Sequence, residues 1–272
     1  MAAIQAAIEP PPDHEAQGPT GNVMGLELAY ARSRDIIGPE RAESLDVAEE
    51  VERLRLAWRP ERVRVVLLAE SHVWTSREET RSRVTQSDGV ETNFARFVYC
   101  IGYGEPQVVT PTVTRNDGTP QYWKLFHDTI YEPTPTSHAP VLKTRERNSQ
   151  HRVHNKLNLL KEMQRAGVWL VDASVTALYH RGTNLAGSSY RKVLKASWDY
   201  HIHDVLSLCA PSAILIVGKG VSFAIGDHVR QSFGRGIEVV TINQPNARRS
   251  REDIGRDRRI CFDLCSRHRT SH

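Results

Sequence analysis

Apolar residues along this chain fall into short unbroken runs that alternate with longer stretches of helical spacing. The run from Val63 to Ala69 is mostly β-branched residues and leucine, and it stops abruptly at Glu70-Ser71-His72. That pattern predicts a buried parallel strand feeding a polar loop. Val168–Val171 ends in the same way at Asp172-Ala173-Ser174, Ala213–Val217 at Gly218-Lys219-Gly220, and Ile237–Ile242 at Asn243-Gln244-Pro245. Between these runs the spacing is helical. Leu45, Val47, Val51, Leu54 and Leu56 share one stretch that Pro60 closes, and Val153, Leu157, Leu160 and Met163 recur within Asn148–Arg165 before the stop at Gly167. Further helices are expected at Ser189–Cys209 and Val221–Phe233, with shorter ones at Asn93–Gly102 and Gln121–Tyr131, and an edge hairpin is expected within QVVTPTVTRNDGTP. The alternation predicts an α/β fold: a three-layer sandwich around a short, mainly parallel sheet of four strands, with helices on both faces.

Residues 1–40, with Pro10-Pro11-Pro12, read as a flexible tail. Residues 41–272 read as one domain, closed by a basic helical segment that carries Arg248, Arg249, Arg251, Arg256, Arg258 and Arg259. The polar stretch 71–92 is longer than a plain connection requires, and such loops are often functional.

Composition changes this picture little. Of the 272 residues 39% are hydrophobic and 25% charged, and the formal charge of +4 permits a polyanionic partner without requiring one. The four cysteines form no CxxC pair, so a reducing cytoplasm is the expected compartment. Cys261, Cys265 and His268 lack an obvious fourth ligand, so neither metal nor other cofactor is expected. No apolar run approaches the ~20 residues of a membrane span, and no signal-peptide pattern opens the chain. A monomer is expected.

The candidate chemistry sits at the strand ends, because ligands in open α/β sheets gather in the crevice beyond the carboxyl ends of the strands. Glu70, Asp172 and Gln244 are expected to face one pocket. A carboxylate there can act as a general base or stabilise a cation, or it can simply cap a helix or pair with an arginine. Trp74, Phe94 and Tyr99 can supply a stacking face for a flat ring, or ordinary core packing. Gly218-Lys219-Gly220 resembles a fragment of a phosphate loop but lacks the full spacing, and a tight strand-to-helix turn accounts for it equally.

In order and spacing these motifs resemble the uracil-DNA glycosylase superfamily over residues 60 to 255. VVLLAESHV stands where that family has its first strand and catalytic loop. GVWLVDASVTALY, from Gly167 to Tyr179, resembles the second motif. Trp198, Pro211 and AILIVGKGV follow in the family's order, and TINQPNARRS replaces its last His-Pro motif. The resemblance implies hydrolysis of an N-glycosidic bond after the nucleotide is flipped out of the helix. It places Glu70 on the sugar side, Ser71 or His72 near the water, Asp172 at the base edge, and Gln244 with Asn246 near the base or phosphate. It sets Arg248 and Arg249 along the nucleic-acid backbone or wedged into the groove, and Lys219 is expected to bind nucleic acid as well. The departures are chemical. Asp172 stands for an Asn and, when ionised, cannot donate a hydrogen bond. Gln244 stands for a His and cannot carry a proton.

A protein that keeps the fold but only binds nucleic acid or another protein is the competing expectation, and a small-molecule enzyme with a likeness confined to the fold is a third. A cleft lined by both acids favours catalysis. Arginines that pair both acids favour binding.

Overall fold

The computed structural model describes residues 23–85, 101–113, 120–134, 136–180 and 183–269. Four strands form the central sheet: β1 (Val65–Ala69), β4 (Val168–Asp172), β7 (Ala213–Val217) and β8 (Glu238–Ile242), in the order β4-β1-β7-β8. Every neighbouring pair is parallel. Two short antiparallel ribbons stand apart from it, β2 (Arg83–Val84) with β3 (Val109–Thr110) and β5 (Tyr179–His180) with β6 (Thr183–Asn184).

The pleat divides the core in two. Val65, Leu67, Ala69, Val168, Leu170, Ala213, Leu215 and Val217 face one layer. That layer is built by α3 (Pro120–Ile130), α4 (Ser149–Arg165) and α8 (Arg251–His268). Val66, Leu68, Trp169, Val171, Ile214 and Ile216 face the other, built by α1 (Val23–Ile37), α5 (Gly187–Ser197), α6 (His203–Cys209) and α7 (Lys219–Phe233). The second helix, α2 (Leu45–Ala57), contributes to both clusters. Strands apolar on both faces read as unbroken apolar runs, which is why they were visible in the sequence.

Several expectations are corrected by the fold. Residues 23–37 are not a tail. They form α1, which packs Leu26, Ala29 and Tyr30 into the core against α5 and the turn after it. The helix expected over Ser189–Cys209 is interrupted by a π-helical turn at Trp198–Ile202. β3 pairs with the distant β2, and the second half of the hairpin expected within QVVTPTVTRNDGTP lies largely outside the described residues. The short helix expected at Asn93–Gly102 lies largely outside the described residues, as do Phe94 and Tyr99. No helix among the described residues is long and apolar enough to cross a membrane.

Gly167 joins α4 to β4 with φ +77°. Its carbonyl accepts hydrogen bonds from Arg64 N at 2.7 Å and Val65 N at 3.0 Å, which sets β4 in register beside β1. A Cβ here would lie 2.8 Å from the Arg62 carbonyl oxygen and 2.6 Å from Arg64 Cγ. Left-handed backbone costs an L-residue roughly 1–2 kcal/mol before any clash. Gly167→Ala is therefore expected to lower the unfolding free energy by about 2 kcal/mol or more, read as a shift in the urea midpoint at unchanged slope.

Candidate active site at the strand ends

The carboxyl ends of β1, β7 and β8 lie side by side in the sheet, and Glu70 directly follows the first of them. Its Oε1 accepts a hydrogen bond from the Tyr190 hydroxyl at 2.8 Å, and its Oε2 accepts one from Gln244 Nε2 at 3.1 Å. Tyr190 comes from α5 and Gln244 from the segment after β8, so a helix and two strand ends converge on one carboxylate. Burial, reinforced by the Glu70 carboxylate, raises the Tyr190 pKa well above that of a free tyrosine, and the hydroxyl stays a donor. Gly220, in the first turn of α7, faces the same hydroxyl. A Cβ there would lie 3.1 Å from it, a close approach that only glycine allows without displacement.

Both donors to Glu70 are neutral, so its charge is positioned without being cancelled. A carboxylate offers about four lone-pair sites, and these two bonds leave room for a water or a sugar atom. Tyr190→Phe removes a donor to a charged group and is expected to cost ~1.5–3 kcal/mol, measurable by urea denaturation.

Asp172 does not join this group. In register Asp172 pairs with Ala69, so it shares Ala69's face of the sheet, and Glu70, one residue on, takes the opposite face. Asp172 is 3% exposed, and its Oδ2 accepts a hydrogen bond from Arg55 Nη2 at 3.0 Å. The same guanidinium pairs with Glu52, and His201 Nε2 lies 3.1 Å from Glu52 Oε1. Burial opposes ionisation of Glu52, but Arg55 and His201 outweigh it and hold its pKa at about 2.

His72 is likewise inside the protein rather than beside a catalytic water. Its Nε2 is 2.8 Å from Glu43 Oε2, and its Nδ1 is 3.8 Å from Asp172 Oδ2. Burial depresses its pKa, but Glu43 and Asp172 more than offset this and raise it overall. Glu43 also accepts hydrogen bonds from the backbone N–H of Thr75 at 2.9 Å and Ala177 at 3.0 Å. It thereby ties together the loops that follow β1 and β4. Ser71 serves the same junction, its hydroxyl oxygen accepting from Leu178 N at 3.2 Å. The physical reason for both corrections is the same: these side chains saturate buried partners that the sequence did not bring to view.

The remaining expected residues divide. Trp74 stacks on His180 with ring centroids 4.4 Å apart, so one face of its ring is already covered. Arg249 pairs with Asp257, which also accepts from the Asn243 backbone and side chain at 3.0 and 2.8 Å. Asn246 and Arg248 line a cavity of about 340 Å³ beside Gln244. Lys219 is exposed in the first turn of α7. Cys261 and Cys265 are buried one turn apart on α8, and no group of three or more potential metal ligands occurs among the described residues.

Three residues central to this region were missed: Tyr190, Glu43 and Arg55. Tyr190 lies in a polar helical start, and Arg55 in a run of alternating Glu and Arg that reads as a solvated face. Comparison of the chain with protein-family models and with curated proteins gives no match to either.

Proposed function

We propose that this protein is a hydrolase of the N-glycosidic bond, acting on a modified or damaged base in nucleic acid in the manner of the uracil-DNA glycosylases it resembles. The observation that carries the reading is Glu70: a half-buried carboxylate just past the end of a central strand, held by two neutral donors. As the base departs, positive charge grows on the sugar, and a preorganised anion at that position stabilises it or orients the attacking water. An acid already neutralised by arginine, as Asp172 is by Arg55, could do neither. The strand order and the mildly basic charge agree with the reading.

Asp172 is withdrawn from the base edge, and His72 and Ser71 from the water. The second reading, a non-catalytic binder, draws on the Arg55–Asp172 pair alone, because no arginine pairs Glu70 among the described residues. Incubation with labelled oligonucleotides that carry a panel of modified bases, followed by alkaline cleavage of abasic sites, tests the proposal. Strand breaks at one modified position are the expected result. Intact strands across the panel at enzyme excess favour the binder.

A further inference from the structure

A second cavity, of about 390 Å³, opens between the end of α3, the turn at Ala139–Val141 and the second half of α4. It belongs to the other end of the sheet from Glu70, because its Glu162 lies in the last turn of α4, which leads through Gly167 into the start of β4. Pro140, Val141 and Leu159 give it an apolar wall. Its polar groups are mostly acceptors. Tyr131 donates its hydroxyl to Glu162 Oε2, which leaves Oε1 without a partner among the described residues. Partial burial, then the hydrogen bond to Glu162 and its charge, push the Tyr131 pKa up to about 12, so the proton stays on the hydroxyl. Asn155 donates Nδ2 to the Pro140 carbonyl at 3.0 Å and keeps Oδ1 open. His127 is 7% exposed, and its Nδ1 has no hydrogen-bond partner but lies 3.8 Å from Asp128 Oδ1. That carboxylate favours the proton on Nδ1, so the neutral ring keeps Nε2 as an acceptor.

We infer that this cavity binds a small organic ammonium ion with an apolar body. Glu162 is its counter-ion. No lysine or arginine is among the cavity's described lining residues, and no cation pairs the Glu162 carboxylate among them. The Tyr131 hydroxyl fixes that carboxylate without neutralising it. An ammonium group carries three N–H donors and no acceptor, which complements Glu162 Oε1, Asn155 Oδ1 and the Nε2 of a neutral His127. The rings of His127 and Tyr131 stand 4.7 Å apart at 34° and offer π-faces to the charge. The apolar wall receives the carbon body. An anion would meet the Glu162 carboxylate with only the Asn158 amide left to donate to it. At about 390 Å³ the space falls within the range of ordinary small-molecule sites. Glu70 contributes nothing to this cavity, so an ammonium ion can bind here whether or not the hydrolase reading holds.

The test is a chemical-shift titration of the nitrogen-labelled full chain with 2-phenylethylamine, set against two probes of similar shape, neutral 2-phenylethanol and anionic phenylacetate. The amine should bind roughly tenfold or more tightly than the alcohol, the factor that a charge-assisted hydrogen bond supplies. Its shifts should centre on residues 127–131 and 155–162, and phenylacetate should not bind. Glu162→Gln keeps the side chain's shape and an acceptor for Tyr131, at a half-buried position. It should weaken the amine by about the same tenfold factor and leave the alcohol unchanged. Glu49→Gln, which neutralises an exposed carboxylate on α2, should change nothing. Equal affinity for amine and alcohol, a preference for phenylacetate, or no shift with the amine at about 10 mM overturns the inference. These comparisons are made on the wild type, so they hold even if a variant fails to fold. A folded Glu162→Gln variant that binds the amine as the wild type does overturns it too. So do shifts centred on Glu70 and Tyr190, which would assign the amine to the other carboxylate held by a tyrosine.

Discussion

Glu70→Gln is expected to lower base release by about a thousandfold, within the 10²–10⁴ range typical of a positioned acid–base group, with little change in stability. The replacement keeps the shape and removes the charge. Its carbonyl oxygen can still accept from the Tyr190 hydroxyl. Its amide would meet the Gln244 amide donor-to-donor, but Gln244 can turn its own amide over and present oxygen instead. The hydrogen-bonded frame thus survives while the anion that would face the sugar is lost. Single-turnover kinetics with enzyme in excess isolates this step from product release. A Glu70→Gln variant within tenfold of wild type would remove Glu70 from the sugar side. Glu70→Ala makes a useful contrast. It strands two donors at once, so a loss of stability should accompany its loss of activity.

The legible part of this molecule was its frame. Three strands, β1, β4 and β7, are buried along their whole length and leave an uninterrupted apolar signature, while β8, half-buried at the sheet edge, keeps a weaker one broken by Glu238 and Thr241. Glu70 and Gln244 were legible because each ends such a run, and the fold joins them at 3.1 Å. Asp172 ends a run too, yet it faces away. Which face a strand-end residue takes depends on pairing register, and Ala69 opposite Asp172 is a fact of the assembled sheet, not of either segment. Arg55 and Glu52 sit amid exposed Glu and Arg on α2, and only tertiary packing selects those two for burial. α1 escaped notice because its apolar stripe is narrow, with Met24 and Leu28 left exposed. Tyr190 carries no signal of its own. It acquires meaning only where α5 passes Glu70 and Gly220 yields room for its hydroxyl.

The buried network should dominate stability. Arg55→Met leaves Glu52 and Asp172 inside the protein without their shared cation, and breaking a buried pair in this way costs about 3–5 kcal/mol. Against a typical total of roughly 5–15 kcal/mol, this removes a large share of the stability, and the urea midpoint should fall far below that of the wild type. Neutralising the stranded acids in the same molecule, with Glu52→Gln and Asp172→Asn, should restore a large part of the loss. The wild type should also show a pH window. Glu52, depressed from 4.5 to about 2, contributes stability above its unfolded value that is lost as pH falls towards 2. His72 is raised above 6.5, so its contribution is full below that value and fades as pH rises through the folded one. Glu43 and Asp172 hold the proton on His72 while Arg55 opposes it, so the high-pH limb should vanish in His72→Asn. Urea midpoints taken from pH 3 to 9 should therefore peak between about 4.5 and 6.5, on the reference values for free carboxyl and imidazole groups. A profile that is flat from pH 5 to 9, or an Arg55→Met cost below ~1 kcal/mol, would mean that these charges are solvated in the working protein. The junction of the loops after β1 and β4 would then have to be held by uncharged hydrogen bonds such as that from Leu178 N to the Ser71 hydroxyl.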